Sequence, residues 1–188
     1  LGDRRTDRSW SQSWLHAGAA AERAIAGELE RPDSPTEPGL QRALAGAYRD
    51  GELVYTASSM PIRDQEAFLP VGDADVVFLA NRGANGIDGL ISSGIGAAHA
   101  SARPTVIVTG DLGLLHDLGA LPSLAGVETP VRIVVINNDG GAIFEFLPQA
   151  DQLDRDEFEA LLGTPRAIEC ERAAALFGVA YRRLEGLS

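Results

Sequence analysis

The sequence has no lysine, a single cysteine and no long apolar run. No run approaches the roughly 18 apolar residues that a transmembrane helix needs, and the opening residues LGDRRTDRSW lack the apolar core of a signal peptide. With one cysteine, Cys170, the chain cannot form an internal disulfide or a metal cluster held by several thiolates. These absences predict a cytoplasmic protein and exclude a disulfide-stabilised fold.

The charge of the chain is negative, because 27 acidic residues outnumber 16 basic ones and leave a formal net charge of −11. This sign disfavours non-specific binding to nucleic acids and attraction to anionic membranes, so we expect neither among the partners. All the basic residues are arginines, and a uniform choice across a whole chain indicates codon bias rather than a special role. The hydrophobic content of 45% is typical of a globular protein with a buried core.

The chain divides at a proline-rich stretch. Residues 1–35 contain two tryptophans and the amphipathic stretch SWLHAGAAAERAIAGELE, and the segment RPDSPTEP that follows has three prolines and reads as a linker. Residues 36–188 form the main part of the chain. It stops at GVAYRRLEGLS, just after a predicted strand, where a doubly wound sheet would normally continue. We therefore expect a fragment of a larger polypeptide.

Four continuous apolar segments alternate with helical patterns along this main part. The segments, read as strands, are ELVYTA, ADVVFLA, TVIVTG and VRIVVI. Such strands separated by helices predict an α/β fold with a parallel sheet flanked by helices on both faces. Ligands bind such sheets at the carboxyl ends of the strands, and the polar motifs of this chain follow the strands immediately. A P-loop and a GxGxxG motif are both missing, so the usual nucleotide fingerprints do not apply.

The motifs TGDLG and INNDGG follow two strands that a single helical crossover joins. The right-handed crossover rule makes these strands parallel and near neighbours, so Asp111 and Asn138, 27 positions apart, can share one edge of the sheet. A carboxylate oxygen from Asp111, an amide oxygen from Asn138 and the carbonyl oxygen of Gly140 suit a hard cation such as Mg²⁺. The N–H groups that begin the next helix favour a phosphate. Each motif alone is a common turn sequence, but the pair predicts a Mg²⁺-bridged diphosphate site.

The paired motifs also resemble the fingerprint of thiamine diphosphate-dependent enzymes, GDG followed further along the chain by N or NN. Four blocks in order narrow the resemblance: SSMPIRD, NRGANGIDGLISSGIGAA, GDLGLLHDLGAL and VVINNDGGAIFEFLP. They are similar to the MenD family of menaquinone biosynthesis, from about Thr36 to the end. The resemblance implies the thiamine diphosphate-binding fold. Residues 1–35 would be the tail of that family's central domain with a linker, and residues 36–188 the diphosphate- and Mg²⁺-binding domain, truncated at its C-terminus.

The resemblance implies roles for residues within the matching motifs. The metal, Mg²⁺ with Mn²⁺ as the alternative, would be bound by Asp111, Asn138 and the Gly140 carbonyl. Ile87 would make the apolar contact that holds the cofactor bent. The other contacts to the cofactor would come from Gly110, Asp111, Leu112, Asn138, Gly140 and Ile143. Contacts to substrate would come from Ser59, Arg63, Arg82, Ile143 and Phe144. The glutamate that activates the cofactor lies on a separate domain in this family, so the catalytic carboxylate is expected outside these residues.

The implied reaction is the decarboxylation of 2-oxoglutarate on thiamine diphosphate and addition of the succinyl-semialdehyde unit to isochorismate, in a homodimer or homotetramer. Both substrates are polycarboxylates, which the fork geometry of arginine matches bidentately. Two alternatives stay open. The parent could be another thiamine diphosphate enzyme, such as an acetolactate synthase or a 2-oxo acid decarboxylase. The 188 residues could also act only as a binding and dimerisation module, and we expect them to be inactive alone.

Two residues depart from the thiamine diphosphate pattern. Leu112 replaces the usual third glycine, which matches the MenD family rather than its relatives. Asp139 stands where the family often has a third asparagine. An additional carboxylate at that position would either tighten metal binding or face water.

Overall fold

The core of the fold is a four-stranded parallel sheet. The computed structural model describes residues 8–29, 35–81 and 86–184. Within them, the strands lie in the order β2-β1-β3-β4 and all neighbouring pairs are parallel. Their bounds are β1 Leu53–Thr56, β2 Val77–Ala80, β3 Thr105–Gly110 and β4 Val131–Ile136. Each strand coincides with one of the four predicted apolar segments.

Helices cover both faces of the sheet. The helices of the described residues are α1 Ser9–Leu29, α2 Glu37–Ala47, α3 Met60–Phe68, α4 Leu90–Ser101, α5 Asp111–His116, α6 Gln149–Gln152, α7 Arg155–Phe158 and α8 Cys170–Leu176. Two 3₁₀ segments span Leu118–Gly126 and Ala142–Phe146, and α7 continues into a π-helical turn at Glu159–Gly163. Successive side chains of β1 enter opposite cores, since Leu53 packs on one face with Ile91 and Val54 packs on the other with Tyr48. The predicted α/β fold is thereby confirmed.

Helix α2 begins where the sequence predicts. Thr36 precedes it with extended backbone, and its Oγ1 accepts the N–H of Gly39 at 3.1 Å. Pro38 lies in the first turn, where no intrahelical N–H is required. The helix ends at Ala47 rather than at Gly51, because Tyr48 leaves the helix to pack in the core.

The strand predicted near the C-terminus is wrong. Residues 179–184 have no regular secondary structure and lie along the groove beside β4. A strand is stabilised by ladder hydrogen bonds to a neighbour, and β4 shows no such partner on its outer side within the described residues. The segment therefore runs beside β4 without forming the predicted strand.

Helix α1 is exposed along its length. None of its 21 residues is buried, and the rings of Trp10 and Trp14 lie in a tilted arrangement with their centroids 6.0 Å apart. Glu22 of this helix forms an ion pair with Arg42 of α2 at 2.7 Å. No described helix combines the length and apolar character that crossing a membrane requires.

Two glycines of α4 offer a matched test of how closely this helix lies on β3. A Cβ added at Gly94 would come within 2.6 Å of Ile107 Cδ1, whereas one at Gly96 would meet nothing within 4 Å. We expect Gly94→Ala to lower the free energy of unfolding by about 1–3 kcal/mol through overpacking. Gly96→Ala should raise it by about 0.5–1 kcal/mol, because alanine favours the helix. Urea unfolding of both variants checks the pair, and equal effects would contradict the close helix–sheet contact.

Candidate functional site

The predicted site lies where β3 and β4 end side by side. Gly110 and Ile136 pair in register at the ends of these strands. Asp111 therefore leaves the sheet next to Asn137, and the predicted adjacency of the two motifs is confirmed. Helix α5 begins directly at Asp111, with Gly110 as the extended residue before it.

The carboxylate of Asp111 is buried, and its side chain is only 1% exposed. Burial raises the pKa of Asp111, backbone N–H groups of Leu112 and Gly140 oppose that rise, and the charge of Asp139 adds to it. The Oδ2 atom has no hydrogen-bond partner among the described residues. A buried anionic oxygen without a partner is costly. A cation at this point would remove that cost, so the residues present fit the predicted metal.

Two side chains of the motif INNDGG are bound by the segment after the π-helical turn. Asn137 donates its Nδ2–H to the carbonyl of Ile168 at 3.3 Å. Asp139, at a φ of +60°, accepts the backbone N–H groups of Arg166 and Ala167 at 3.2 and 2.8 Å. Asp139 therefore accepts backbone donors while it remains exposed to solvent, which agrees with the alternative that it faces water, and its effect on metal binding stays a prediction.

Asn138, between them in the sequence, is bound by helix α2 instead. Its Nδ2 donates to Oε1 of Glu37, the first residue of α2, at 2.6 Å. The two residues are 101 positions apart. The amide oxygen of Asn138, the predicted metal ligand, is left free of this contact.

Gly140 occupies a backbone conformation that excludes other residues. Its φ is +138°, and a Cβ at this position would lie 2.2 Å from the carbonyl oxygen of Gly163. The next residue, Gly141, donates its N–H to the same carbonyl at 2.6 Å. The chain thus passes directly over the end of the π-helical turn, where only glycine fits.

Ile87 lies against the start of α5. It is half-buried, and its Cγ2 is 3.9 Å from the position that a Cβ of Gly113 would take. Leu112 lies in the first turn of the same helix. Ile87 and Leu112 therefore both lie at the helix that begins with Asp111, and their contacts to a cofactor stay a prediction.

The described substrate residues of the prediction lie at the start of α3 and in the 3₁₀ segment after Gly141. Ser59 precedes α3 at a φ of +75°, a strained conformation of the kind that concentrates at functional sites. Its carbonyl accepts Nη1 of the exposed Arg63 at 2.6 Å. Ile143 and Phe144 lie half-buried in the 3₁₀ segment after Gly141. Arg82 lies outside the described residues, so its predicted role stays a prediction.

A large groove opens beside this edge of the sheet. Its volume is about 840 Å³, and its lining includes Glu37, Asn137, Asn138, Cys170 and residues 179–184. Burial raises the pKa of the Cys170 thiol, and the charge of Asp111 raises it further. Across the described ranges, no group of three His, Cys, Asp or Glu side chains could hold a metal ion. The predicted metal ligands are not such a group, because they combine one carboxylate oxygen with one amide oxygen and one backbone carbonyl oxygen.

Sequence reasoning missed a second buried carboxylate close to the site. Asp64 of α3 is 2% exposed, and burial together with the neighbouring charge of Glu37 raises its pKa from 3.8 to about 6. Its place in the block SSMPIRD was visible, but nothing in the sequence indicated that it would be buried. Glu37 was equally hidden, because TEP reads simply as the start of a helix.

The raised pKa of Asp64 makes stability depend on pH. Because the folded protein holds this proton more tightly than the unfolded chain, stability is fully present below about pH 4 and declines as pH rises through about 6. We expect Asp64→Asn to remove this decline and to raise the free energy of unfolding at pH 7.5 by about 1–3 kcal/mol. Unfolding at pH 4 and 7.5 checks this, with the exposed Glu66→Gln as control. An unchanged pH dependence in Asp64→Asn would contradict it.

Comparisons with known proteins place the chain among named relatives. No protein family model matches it. It is 45% identical over 178 residues to 2-succinyl-5-enolpyruvyl-6-hydroxy-3-cyclohexene-1-carboxylate synthase of Myxococcus xanthus, covering 94% of the chain and 30% of that protein. The synthase of the same name from Oceanobacillus iheyensis is 39% identical over 97% of the chain and 31% of its own length. The one from Rubrobacter xylanophilus is 40% identical over 92% of the chain and 29% of its own length.

The fold has a counterpart among solved structures. Benzoylformate decarboxylase from Polynucleobacter necessarius matches with a TM-score of 0.66 and 13% identity, over 81% of this chain and 29% of that structure. This likeness concerns the fold alone. The chain spans about three tenths of the length of the curated relatives it matches. It is therefore homologous to a segment of the 2-succinyl-5-enolpyruvyl-6-hydroxy-3-cyclohexene-1-carboxylate synthases.

Proposed function

We propose that the protein containing this chain is a thiamine diphosphate- and Mg²⁺-dependent synthase that decarboxylates 2-oxoglutarate and adds the succinyl-semialdehyde unit to isochorismate. The observation that carries the proposal is the buried Asp111, with one unpartnered oxygen, beside the loop of Asn138 and Gly140. Identities of 39–45% to synthases of this name support the choice of reaction.

The metal would be held by the oxygen atoms of one carboxylate, one amide and one backbone carbonyl, from Asp111, Asn138 and Gly140. This donor set suits Mg²⁺, with Mn²⁺ as the alternative. When bound, thiamine diphosphate supplies an electron sink for decarboxylation and carbon–carbon bond formation. Gly110, Leu112, Ile87 and Ile143 would complete its contacts.

The chain's own side chains would bind and orient the substrates. Arg63 and Arg82 would bind substrate carboxylates through their guanidinium groups. Ser59, whose carbonyl holds Arg63 at 2.6 Å, keeps that guanidinium near the end of β1. Ile143 and Phe144 would exclude water from the reacting carbon, which strengthens the electrostatic interactions there.

The remaining features of the proposal concern the intact protein. The glutamate that activates the cofactor would come from sequence outside these 188 residues, and the enzyme would act as a cytoplasmic homodimer or homotetramer. The 188 residues alone would be inactive.

Substrate choice by the intact protein tests this function. With thiamine diphosphate and Mg²⁺, CO₂ release from 2-oxoglutarate should be coupled to consumption of isochorismate. Turnover of pyruvate without use of 2-oxoglutarate would contradict the proposal and favour an acetolactate synthase-like enzyme. Absence of thiamine diphosphate binding in calorimetry would contradict any role for this cofactor and favour a binding module.

A further inference from the structure

Glu37 makes a long-range contact that the proposed function does not use. It is the first residue of α2, and its Oε1 accepts the side-chain N–H of Asn138 at 2.6 Å. Asn138 lies in the loop after β4, and both residues line the groove beside that strand. This short hydrogen bond to a charged acceptor belongs to the stronger class of such contacts.

The contact determines which end of the Asn138 amide is available. An asparagine side chain ends in a donor NH₂ group and an acceptor oxygen of nearly the same shape. The donor end is bound to Glu37. If the amide were rotated by half a turn, its oxygen would face the carboxylate of Glu37, and two acceptors would meet without a proton between them. The present orientation therefore leaves Oδ1 as the free atom.

The position of Glu37 is itself fixed by its helix. Thr36 caps the helix at Gly39, and Gln41, one turn further along, is buried and donates to the carbonyl of Pro61 in α3 at 3.2 Å. Asp64 of α3, buried and close enough to feel the charge of Glu37, flanks the same carboxylate. Glu37 therefore reaches Asn138 from a helix that is capped at its start and hydrogen-bonded to α3.

We infer that Glu37 is a positioning residue, which holds the Asn138 amide with its oxygen toward the metal bound at Asp111. The inference rests on the proposed function, because it assigns Glu37 to the same Mg²⁺–diphosphate site. Groups that orient a metal ligand from outside change metal affinity by about 10–100-fold when they are removed.

Three variants of the intact protein separate orientation from helix stability. Glu37→Ala removes the acceptor and should weaken Mg²⁺ binding, measured by calorimetry at saturating thiamine diphosphate, by about 10–100-fold. Glu37→Gln keeps an acceptor oxygen for Asn138 and can donate its NH₂ to Asp64, so it should recover most of this affinity. Thr36→Ala removes the neighbouring helix cap without touching Asn138. It should lower the unfolding midpoint while leaving Mg²⁺ affinity near that of the unaltered protein.

An exchange of the two partners supplies a stricter test. Asn138→Asp offers a metal ligand of similar shape but cannot donate to Glu37, so two carboxylates would oppose each other and Mg²⁺ affinity should fall. Adding Glu37→Gln to Asn138→Asp returns a hydrogen-bond donor to the pair. The double variant should recover at least half of the loss in the logarithm of the Mg²⁺ affinity. A residue that only stabilised the helix would produce no such recovery.

The outcomes are distinct. Equal Mg²⁺ affinity in Glu37→Ala and the unaltered protein would overturn the role of Glu37 while leaving the proposed function intact. Equal losses of Mg²⁺ affinity in Glu37→Ala and Thr36→Ala would also overturn the role of Glu37. The same conclusion would follow if Glu37→Gln recovered no Mg²⁺ affinity in Asn138→Asp. An unaltered protein that binds neither Mg²⁺ nor thiamine diphosphate would overturn the proposed function and this inference together.

Discussion

Asp111→Asn is expected to weaken Mg²⁺-dependent binding of thiamine diphosphate by at least about 100-fold, the upper end of what indirect ligand partners contribute. The variant keeps the shape of the side chain but removes the only carboxylate of the proposed donor set. Calorimetric titration of the intact protein with Mg²⁺ and thiamine diphosphate measures the change. The same substitution should leave the metal-free protein equally stable or more stable, by up to about 2 kcal/mol, because a neutral amide is less costly to bury than a carboxylate with one unpartnered oxygen.

Asp139→Asn is the matched control for this prediction. Asp139 lies in the same site, but its carboxylate accepts two backbone N–H groups instead of carrying an unpartnered oxygen. Its substitution should change Mg²⁺ affinity by less than about tenfold, the lower bound for a group that orients a ligand. Retention of Mg²⁺-dependent cofactor affinity in Asp111→Asn would show that the metal assignment is wrong.

Gly140→Ala is expected to have the largest effect on structure. A Cβ would lie 2.2 Å from the Gly163 carbonyl, and a φ of +138° is unfavourable for any side chain. The Gly163 carbonyl is part of the backbone and cannot rotate away as a flexible side chain does. The loop after β4 must therefore move away from the π-helical turn. We expect a loss of about 3 kcal/mol or more in the free energy of unfolding, together with loss of Mg²⁺-dependent cofactor binding.

Gly119→Ala provides the comparison. Gly119 lies in a 3₁₀ segment, and a Cβ there would meet nothing within 4 Å. Its substitution should change the free energy of unfolding by no more than about 0.5 kcal/mol. Urea unfolding of both variants checks the difference, and similar effects would mean that the loop of Gly140 can relax freely.

Much of the fold could be predicted because it depends on local patterns and general chain geometry. The strands TVIVTG and VRIVVI are continuous apolar runs, and the crossover rule makes them parallel neighbours. Their ends then bring Asp111 and the asparagine motif to one edge of the sheet. The cap at Thr36 could also be predicted, since it bonds a residue only three positions away.

The contacts that hold the site together could not be predicted, because they join distant segments. Asn138 bonds to Glu37, and Asp139 bonds to the backbone near Arg166. Each of these side chains has a satisfactory local interpretation, as a turn residue or a helix start, which conceals the distant partner. The strand predicted near the C-terminus did not form, and no fifth strand pairs with β4 within the described residues.

The π-helical turn makes this region intolerant of changes in chain length. Its i to i+5 hydrogen bond, from Thr164 to Glu159 at 2.7 Å, accommodates one residue more than an α-helical turn. Deleting a residue would restore α-helical geometry and rotate everything after Gly163 by about 100° around the helix axis. The backbone groups that bind Asn137 and Asp139 would then point elsewhere. Insertions and deletions, which surface connections usually absorb, should therefore be rare in this turn among relatives that keep the site.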